Sequence, residues 1–547
     1  MANAFQPNRK ILVTSALPYA NGSIHIGHLV EYIQTDIWVR FQKIRGHTCH
    51  YMCADDTHGT AIMLSAKKEG VSPEQLIQRV HQEHIEDFKA FSIDFDYYYT
   101  TDSEENRVLS EFIFTRAREK GAIYEKSISQ LFCTKCSLFL PDRFIRGKCP
   151  RCGAVDQYGD NCEKCAATYE PSALIEPRCA ECGSAPQQKE TRHFFFALSQ
   201  FENHIKEWLS QDPVQKEIKN KLDEWFREGL RDWDITRDAP YFGFKIPGTQ
   251  DKYFYVWLDA PVGYLATTQK WCSEHGISFD TIWRSNEYEI HHFIGKDILY
   301  FHTLFWPAML KVSDFMLPKS VRVHGFLTVN GEKMSKSRGT FITAKTYLQH
   351  LNPEYLRYYY ASKLSPSIED LDLNLEDFVF KVNADVVNKF INIGSRLGSI
   401  LNKKLNGLLT EPNHEGKNLL NTLVKHIPSI ENGYETLEYS KTLREIIGLA
   451  DDLNKYINDA KPWELVSSDA EKAARVCTTG LNGLRILAGM LKPVLPHIVK
   501  GVESFLNIPP LQWNDLNSII THHPINPYQH LAHRVDAETF KKMVTLS

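Results

Sequence analysis

The sequence lacks long apolar runs. None of its 547 residues lies in an uninterrupted apolar stretch of about 18 or more, the length that a membrane-spanning helix requires. The N-terminal segment from Met1 to Lys10 is polar and has no apolar core of the kind found in secretory signal peptides. These two absences predict a cytoplasmic chain that does not span a membrane.

The sequence also lacks a strong excess of charge of either sign. It has 63 Lys and Arg against 67 Asp and Glu, a formal net charge of −4. A nucleic-acid partner would therefore need local basic patches, because phosphate neutralisation is local. The 43% hydrophobic and 24% charged content is typical of globular proteins. A chain of this length is expected to form about three to five domains.

Cysteine is sparse over most of the chain and concentrated in one stretch, where eight of the twelve cysteines form four Cys-x-x-Cys pairs. This spacing lets both thiolates of a pair reach one tetrahedral Zn²⁺, so two pairs make one four-thiolate site. Without a secretion signal, metal binding is favoured over disulfides or a redox motif. We predict one or two structural zinc ions, and the spacing leaves the combination open among Cys133/Cys136, Cys149/Cys152, Cys162/Cys165 and Cys179/Cys182.

The N-terminal stretch has the pattern of a nucleotide-binding unit. The apolar run from Ile11 to Val13 predicts a buried parallel strand, and a turn and an amphipathic helix follow. His25 and His28 share a face at the start of this helix, where free N–H groups and the helix dipole suit phosphate. Two imidazoles there can donate hydrogen bonds to a developing phosphoryl charge, and a planar ring can lie against Gly27. Histidines in a first turn are common, so this motif alone is weak evidence.

A second motif lies about 300 residues later, in the order expected of one nucleotide-binding fold split by an insertion. Lys333 and Lys336 belong to a Lys-Met-Ser-Lys-Ser loop between glycines, and two lysines on a mobile loop can clamp a leaving pyrophosphate. Most lysine-rich loops are only solvated, but the combination of this loop with His25-Ile-Gly-His28 resembles the class I aminoacyl-tRNA synthetases.

Five further segments narrow the resemblance to the methionyl-tRNA synthetases, and it covers nearly the whole chain. They are Ala16–Asn21, Ala54–Asp56, Trp257–Pro261, Gly295–Asp297 and Phe301–Trp306. The resemblance implies an α/β fold, with a Rossmann-type parallel-sheet catalytic domain split by a zinc-knuckle insertion and followed by an all-α anticodon-binding helix bundle. The expected units are residues 1–122 and 245–325 for the two catalytic halves, 123–244 for the insertion, 326–376 for the lysine loop and stem-contact region, and 377–547 for the bundle.

The resemblance also implies the reaction: methionine and ATP, with Mg²⁺, form methionyl-adenylate, and the methionyl group passes to initiator and elongator tRNA(Met). The implied catalytic residues are His25, His28, Lys333 and Lys336. The implied ATP contacts are Asn21, Gly27, Gly295, Asp297 and Lys336. The implied methionine pocket comprises Leu17, Tyr19, Asp56, Trp257, Ala260, Pro261, Tyr264, His302 and Trp306.

The chemistry of these residues is compatible with that pocket. A thioether packs well against aromatic edges, and Tyr264 and a neutral His302 can add a weak hydrogen bond to sulfur. Asp56 follows a predicted strand, where its carboxylate can hold an ammonium group; the alternative is that Asp55 or Asp56 caps the next helix. In the aromatic stripe that follows Asp297, we predict that Phe301 and Phe305 belong to the core.

Other assignments follow from the resemblance alone. The inner cysteine pairs would form one zinc site and the outer pairs another. Arg237 would reach the active site, with a structural ion pair as an equal alternative. Asn392, Arg396 and Trp463 would contact the anticodon, although Trp463 can equally be a core anchor at a helix start.

Two domains found in some relatives are not expected in this chain, an editing domain and a dimerising domain. The insertion of roughly 120 residues is of ordinary single-domain size and smaller than the family's large editing domains, so hydrolytic editing is not expected. No dimerising C-terminal domain is visible before Ser547, which predicts a monomer. Two other functions are alternatives: a class I enzyme for another amino acid, such as cysteine, and a non-catalytic RNA-binding protein. The presence of His25, His28, Lys333 and Lys336 argues against the RNA-binding protein.

Overall fold

The structure is a computed structural model, and it describes residues 8–141, 144–159, 162, 164–165, 167, 169, 171–334, 341–536 and 538. Lys336, one of the predicted catalytic residues, lies outside the described residues. Within the described ranges, no helix combines the length and the apolar character needed to cross a membrane.

The first half of the catalytic unit alternates strands and helices. Strand β1 is buried over nearly its whole length, as expected for a central parallel strand with both faces covered. The third helix begins at Pro73, and its N-cap Ser72 forms a capping box with Gln75, which fixes the helix start. The elements are β1 (Lys10–Ser15), α1 (Ile26–Ile44), β2 (Thr48–Asp55), α2 (Thr60–Glu69), α3 (Pro73–Ala90), β3 (Tyr97–Thr100) and α4 (Glu104–Glu119).

The insertion is built on a long antiparallel ribbon. Its two strands pair from Ile123 against Phe196 to Phe132 against Gln187. The four cysteine pairs lie in the segment from Cys133 to Cys182, which connects these strands and forms small sheets. The elements are β4 (Ile123–Cys133), β5 (Leu138–Phe139), β6 (Ile145–Lys148), β7 (Gln157–Tyr158), β8 (Ile175–Cys179), β9 (Gln187–Phe196), α5 (Glu202–Leu209), α6 (Lys216–Glu228), β10 (Trp233–Asp234) and β11 (Thr236–Asp238).

The chain then completes the catalytic sheet. The elements are β12 (Lys252–Phe254), α7 (Val256–His275), α8 (Phe279–Trp283), β13 (Glu289–Gly295), α9 (Trp306–Val312) and β14 (Ser320–His324), with a π-helical turn at Phe301–Phe305 before α9. The sheet has the order β14-β13-β1-β2-β3, and its neighbouring strands are parallel. The predicted Rossmann-type sheet, split by an insertion, is confirmed.

A small sheet and two helices join the catalytic sheet to the helical part. The elements are β15 (Leu327–Val329), β16 (Glu332–Lys333), α10 (Ala344–Leu348), α11 (Pro353–Lys363) and β17 (Leu371–Leu373). Strand β15 pairs with both β16 and β17, so the residues just before the lysine loop are held in a sheet.

The predicted all-helical region is also confirmed. The elements are α12 (Leu375–Lys381), α13 (Asn392–Lys404), α14 (His414–Lys425), α15 (Ile427–Glu435), α16 (Tyr439–Ala460), α17 (Pro462–Ser468), α18 (Ala470–Leu491) and α19 (Pro496–Leu506). The pattern predicted one amphipathic helix from Phe378 to Arg396. A π-helical segment at Val382–Ile391 instead interrupts it, a difference that hydrophobic periodicity does not reveal.

Helix α1 joins the two halves of the molecule. The fully buried guanidinium of Arg357 on α11 donates to the Asp36 carboxylate on α1 at 2.6 Å and to the carbonyls of Pro493 and Val494. Glu435 at the end of α15 accepts from Arg45 at 3.1 Å. Breaking a buried ion pair such as Arg357–Asp36 costs about 3–5 kcal/mol. These contacts therefore hold α1, the helix that begins at the histidine motif, against the helical bundle.

Candidate active site

The predicted site residues gather at one edge of the catalytic sheet. Strands β1 and β13 are neighbours, while the chain leaves them in opposite directions, towards β2 and towards β14. In a parallel α/β sheet, the crevice beyond the carboxyl ends of two such strands is the usual ligand site. The motifs that follow Ser15 and Gly295 open directly into this crevice.

The two histidines cap helix α1 and thereby fix their own protonation. His25 Nδ1 accepts from the backbone N–H groups of Gly27 at 3.1 Å and His28 at 3.3 Å, and His28 Nδ1 accepts from the N–H of His25 at 3.3 Å. A ring nitrogen that accepts carries no proton, so the proton of each neutral ring is on Nε2. The rings are stacked with centroids 3.5 Å apart.

This arrangement makes the histidines neutral donors. Burial, together with the adjacent His25, lowers the pKa of His28 well below its usual value. Each of the two stacked rings therefore carries one Nε2–H donor, and neither adds a buried positive charge.

The helix N-terminus differs from the prediction. Free backbone N–H groups were expected there to bind phosphate, but Ile26 N donates to the Ile342 carbonyl at 3.0 Å, and Gly27 N and His28 N are used by the histidine cap. The prediction was wrong because the histidine side chains are themselves the caps. A phosphate can therefore receive hydrogen bonds from this motif through the ring Nε2–H groups rather than through these backbone N–H groups.

The lysine loop is anchored beside the histidines at both ends. A Cβ atom built on Gly27 would lie 2.3 Å from the Met334 methyl group, so the first residues of the loop pack directly against this glycine. On the other side, Thr343 forms a bridge with His25. Lys333 is exposed at the end of β16, next to this contact. The loop thus begins and returns at the histidine motif, although its central residues, including Lys336, are not described.

The predicted ATP contacts lie around the same crevice. Asn21 is exposed in the turn before α1, and Asp297 is exposed just after β13. A Cβ on Gly295 would lie 2.6 Å from Asp297 Oδ1, so this glycine allows the carboxylate to lie against the backbone. A carboxylate at this position suits the two hydroxyls of a ribose.

All nine predicted methionine-pocket residues line one cavity, together with two that were not predicted. The predicted residues are Leu17, Tyr19, Asp56, Trp257, Ala260, Pro261, Tyr264, His302 and Trp306, and the additional ones are Ile298 and Phe301. The lining is apolar and aromatic apart from Asp56 and the Tyr264–His302 pair, so it fits an unbranched apolar side chain with a charged end.

The hydrogen bonds of the cavity orient its one histidine. His302 Nδ1 faces the Ile298 carbonyl at 3.1 Å, and His302 Nε2 lies 2.8 Å from the Tyr264 hydroxyl. Burial lowers the pKa of His302 to about 4, so the ring is neutral near pH 7. The proton is therefore on Nδ1, and Tyr264 donates its own proton to Nε2.

This geometry refines the expected contact with sulfur. Both polar protons of the pair are already used, by Ile298 and by His302. A thioether would gain a hydrogen bond from Tyr264 only if that hydroxyl turned away from His302. Shape and dispersion therefore carry most of the selectivity of the pocket in this arrangement.

A second layer holds the wall of the pocket. The Trp306 indole N–H donates to His292 Nε2 at 3.0 Å, and His292 Nδ1 lies 2.5 Å from the Thr14 hydroxyl on β1. His292 and Trp306 are both fully buried. Burial and the nearby His302 lower the pKa of His292 well below its usual value, so this ring is also neutral.

Phe301 was predicted to be a core residue, and this was wrong. Its ring stacks on Trp257 with centroids 3.7 Å apart and lines the cavity, whereas Phe305 is 1% exposed and belongs to the core as predicted. The cause is the π-helical turn, in which the N–H of Trp306 bonds to the carbonyl of Phe301 five residues earlier. This wider turn places Phe301 and Trp306 above one another, which α-helical spacing does not predict.

The two consecutive aspartates after β2 have different environments. Asp55 accepts from Tyr98 at 2.6 Å and pairs with His84 at 2.6 Å and His81 at 2.5 Å, so its oxygens are satisfied within the protein. Asp56 Oδ1 is buried without a hydrogen-bond partner among the described residues. Neither caps α2, because its N-cap is Gly59 and has no side-chain cap.

Asp56 is therefore the carboxylate that is available to a ligand. Its main chain is clamped to the segment before the histidine motif, since its N–H donates to Pro18 and its carbonyl accepts from Ala20. Burial, and the nearby Asp259, raise the pKa of Asp56 well above its usual value. A cationic ligand group would relieve both effects.

Arg237 lies between an aromatic ring and a carboxylate. Its guanidinium lies 3.7 Å from the ring centroid of Tyr255, and it lies 3.9 Å from the Asp234 carboxylate. The ion pair is too long to be strong. The cation–π contact places Arg237 at the end of the insertion, next to the first turn of α7, which carries Trp257.

The cysteines form two separate groups of four. Within each group the ligand atoms lie within 4.8 Å of one another, and in a tetrahedral Zn–S₄ site sulfurs are about 3.8 Å apart. The outer pairs join as Cys133, Cys136, Cys179 and Cys182, and the inner pairs as Cys149, Cys152, Cys162 and Cys165. This is the nested combination that the resemblance implies, and backbone N–H groups donate to Cys149 and Cys162 in the manner of knuckle turns.

Zinc content gives a direct test of these groups. We expect two zinc ions per chain by elemental analysis, because both groups have four thiolates at tetrahedral spacing. Cys162→Ser should lower this to one, and the apparent melting temperature should fall, because zinc binding is folding free energy for such knuckles. Cys272→Ser, at a buried cysteine outside both groups, is the control and should keep two. A content of two in Cys162→Ser would contradict the inner site.

Two of the three predicted anticodon residues contact each other at one end of the bundle. The Arg396 guanidinium lies 4.7 Å from the Trp463 ring centroid and donates to Asn458 at 2.8 Å. Trp463 is 39% exposed in the first turn of α17, so it is not a core anchor. Asn392 begins α13, four residues before Arg396 and on the same face.

Comparisons with known proteins agree with this geometry. The family model described as tRNA synthetases class I (M) matches residues 11–398, and the model described as the anticodon binding domain of methionyl tRNA ligase matches residues 409–543. A methionine–tRNA ligase from Thiobacillus denitrificans is 56% identical over 543 residues, which are 98% of this chain and 78% of that protein.

Solved structures have the same fold. Mycobacterium tuberculosis methionyl-tRNA synthetase in complex with methionyl-adenylate superposes with a TM-score of 0.80 at 23% identity, covering 96% of this chain and 99% of the other. The apo form of that protein gives a TM-score of 0.73 at 21% identity, covering 98% and 100%.

Proposed function

Because the chain belongs to the methionyl-tRNA synthetases within the class I tRNA synthetases, we propose that it activates L-methionine with ATP and transfers the methionyl group to tRNA(Met). The observation that carries this proposal is one cavity lined by all nine predicted methionine-pocket residues, among them the buried Asp56, whose Oδ1 has no hydrogen-bond partner among the described residues. Residues 1–122 and 245–325 serve as the catalytic halves, 123–244 as the insertion, 326–376 as the stem-contact region and 377–547 as the anticodon domain.

In the first step, the methionine carboxylate attacks the α-phosphorus of ATP, the bond to the β,γ-pyrophosphate breaks, and methionyl-adenylate forms. The Nε2–H groups of His25 and His28 donate to the phosphoryl oxygens as negative charge develops. Lys333 and Lys336 stabilise the leaving pyrophosphate. No side-chain nucleophile is needed, because the substrate carboxylate fulfils that role.

The substrates are positioned from both sides of the crevice. Asp56 binds the ammonium group, and Trp257, Phe301 and Trp306 enclose the thioether. Asn21, Gly27, Gly295 and Asp297 contact the adenosine part of ATP. Arg237 closes the site from the insertion. Mg²⁺ bound to ATP would neutralise part of the phosphate charge.

In the second step, a terminal adenosine hydroxyl of the tRNA attacks the methionyl carbonyl, and AMP leaves. The two cysteine groups would hold structural zinc, because four thiolates leave no open position for chemistry. Asn392, Arg396 and Trp463 would contact unstacked anticodon bases at the far end of the bundle.

Charging of tRNA tests the proposal. Purified protein with ATP and labelled methionine should convert tRNA(Met) to acid-precipitable methionyl-tRNA, and a tRNA(Met) with a changed anticodon should be charged far less. Equal charging of both would contradict the assigned anticodon site, and absence of charging would contradict the proposed reaction.

Trp463 provides a separable test of the anticodon site. Trp463→Ala should lower kcat/KM for tRNA(Met) by about 10- to 100-fold, since base stacking on an aromatic side chain is worth about 1–3 kcal/mol. Methionine-dependent ATP–pyrophosphate exchange should stay unchanged, because the residue lies in the bundle. Trp463→Phe retains a stacking surface and should keep most of the activity. A loss of pyrophosphate exchange in Trp463→Ala would show instead that the ring supports the fold.

A further inference from the structure

A buried histidine that the proposed mechanism does not use lies two residues after Asp56. His58 is 1% exposed, and both of its ring nitrogens face carboxylates. Nδ1 is hydrogen-bonded to Asp259 on α7, and Nε2 lies 3.5 Å from Asp102 Oδ1, just before α4. A ring whose two nitrogens both face carboxylates is doubly protonated.

The surroundings of His58 favour this charge. The rings of Phe242 and Phe244 approach it edge-on at 5.5 and 4.6 Å and cover its faces. Burial opposes the charge, but Asp259 and Asp102 outweigh burial and raise the pKa of His58 to about 10. The ring is therefore an imidazolium near pH 7.

The charge count around Asp56 leaves a surplus of negative charge. Asp259 and Asp102 both bond to one cation, the imidazolium of His58, and Asp56 forms no ion pair among the described residues. Both Asp56 Oδ1 and Asp259 Oδ1 are buried without a hydrogen-bond partner among the described residues. Asp55 adds no uncompensated charge, because two histidines and a tyrosine satisfy it. Burial without a second cation drives such a carboxyl group to bind a proton, and a cationic group of the ligand would restore its charge.

We propose that His58, held by Asp259 and Asp102, is a positioning residue that keeps Asp56 ionised and ready for the ammonium group of the amino acid. This inference rests on the proposed function, in which Asp56 binds that group. His58 does not touch the substrate in the proposed role. It supplies the fixed positive charge that offsets Asp259, so that the carboxylate of Asp56 stays charged in a buried site.

The effect on pH dependence has a definite sign. Burial has the largest effect on the pKa of Asp56 and raises it, and the negative charges of Asp259 and Asp55 raise it further. The positive charge of His58 lowers it. Removing His58 should therefore raise the pKa of Asp56 further. Because only the ionised carboxylate binds the ammonium group, activity should then be lost at a higher pH than in the wild type.

The test is the pH profile of kcat/KM for methionine in ATP–pyrophosphate exchange from pH 6 to 9. His58→Gln should move the acidic limb upward by about one pH unit or more, the shift expected when an opposite charge within a few ångströms is removed. Below that limb kcat/KM should fall about tenfold or more, and it should recover towards the wild-type value at pH 9. KM for ATP should not change.

Two further variants keep the test decisive. Asp102 is 41% exposed at its side chain, so Asp102→Asn is expected to fold. It removes one negative charge and leaves His58 bonded to Asp259, so the acidic limb should stay in place or move slightly to lower pH, opposite to the shift in His58→Gln. His193 is buried between Asp234 and Asp238 at 2.8 and 2.9 Å, a closely similar arrangement within the insertion. His193→Gln is the matched control and should leave the limb in place.

The outcomes separate the two proposals. A uniform loss of activity in His58→Gln at every pH, an acidic limb that does not move in His58→Gln, or an upward shift of the limb in Asp102→Asn would overturn the positioning role. A wild-type protein without methionine-dependent exchange would instead overturn the proposed function.

Discussion

Replacing His25 with asparagine is expected to lower kcat for methionine-dependent ATP–pyrophosphate exchange by about 10²- to 10³-fold, the cost of removing one preorganised donor from a developing oxyanion. Asparagine is among the best N-cap residues, so its side-chain oxygen can accept from Gly27 N and His28 N as His25 Nδ1 does. The substitution therefore removes the Nε2–H donor and keeps the helix start.

Two measurements identify the cause of that loss. The melting temperature of His25→Asn should stay close to the wild-type value, and the dissociation constant for methionine should be unchanged, because the donor acts on the phosphate. In His25→Ala the cap is lost as well, so stability should also fall by about 1 kcal/mol. Wild-type kcat in His25→Asn would mean that the histidine serves only as a helix cap.

Replacing Asp56 with asparagine is expected to lower kcat/KM for methionine by about 10²-fold, with little change in KM for ATP. The asparagine keeps the shape of the side chain and removes the charge, so the ammonium group of methionine would be buried without a counterion, at a cost of about 3 kcal/mol. Pyrophosphate exchange at varied methionine concentration measures this effect.

The neighbouring aspartate is the control. Asp55 is also buried, but its oxygens bond to His81, His84 and Tyr98. Asp55→Asn should therefore lower thermal stability, with only a secondary effect on methionine binding. If both variants lost methionine affinity equally, or if Asp56→Asn kept the wild-type kcat/KM, the ammonium site would be wrongly assigned.

Elements with strong local signals were predictable from the sequence. Helix α3 runs from Pro73 to Ala90, and Ser72 and Pro73 mark its start in the sequence. The run Ile11 to Val13 lies in β1, the central strand of the parallel sheet. The nine methionine-pocket residues line one cavity, but the evidence that grouped them in advance was the resemblance. Their spacing along the chain does not bring residues 17 and 306 together.

What could not be predicted depends on backbone and hydrogen-bond details. Phe301 faces the pocket because of a π-helical turn, which has no clear signature in the apolar pattern. The N–H groups at the start of α1 are occupied because the histidines act as caps, a role that sequence statistics assign to Ser, Thr, Asp and Asn. The pair formed by His58 and Asp259 joins residues 201 positions apart. Only the folded chain reveals such a contact.

In the proposed reaction, methionine binds in the cavity between β1 and the π-helical turn and is activated there with ATP. Amino-acid-dependent ATP–pyrophosphate exchange, run without tRNA on zinc-loaded protein with each of the twenty amino acids, tests it most directly. Methionine should support strong exchange, and the other amino acids should support little. Stronger exchange with a different amino acid would contradict the assigned pocket, and the absence of exchange with all of them would contradict the proposed chemistry.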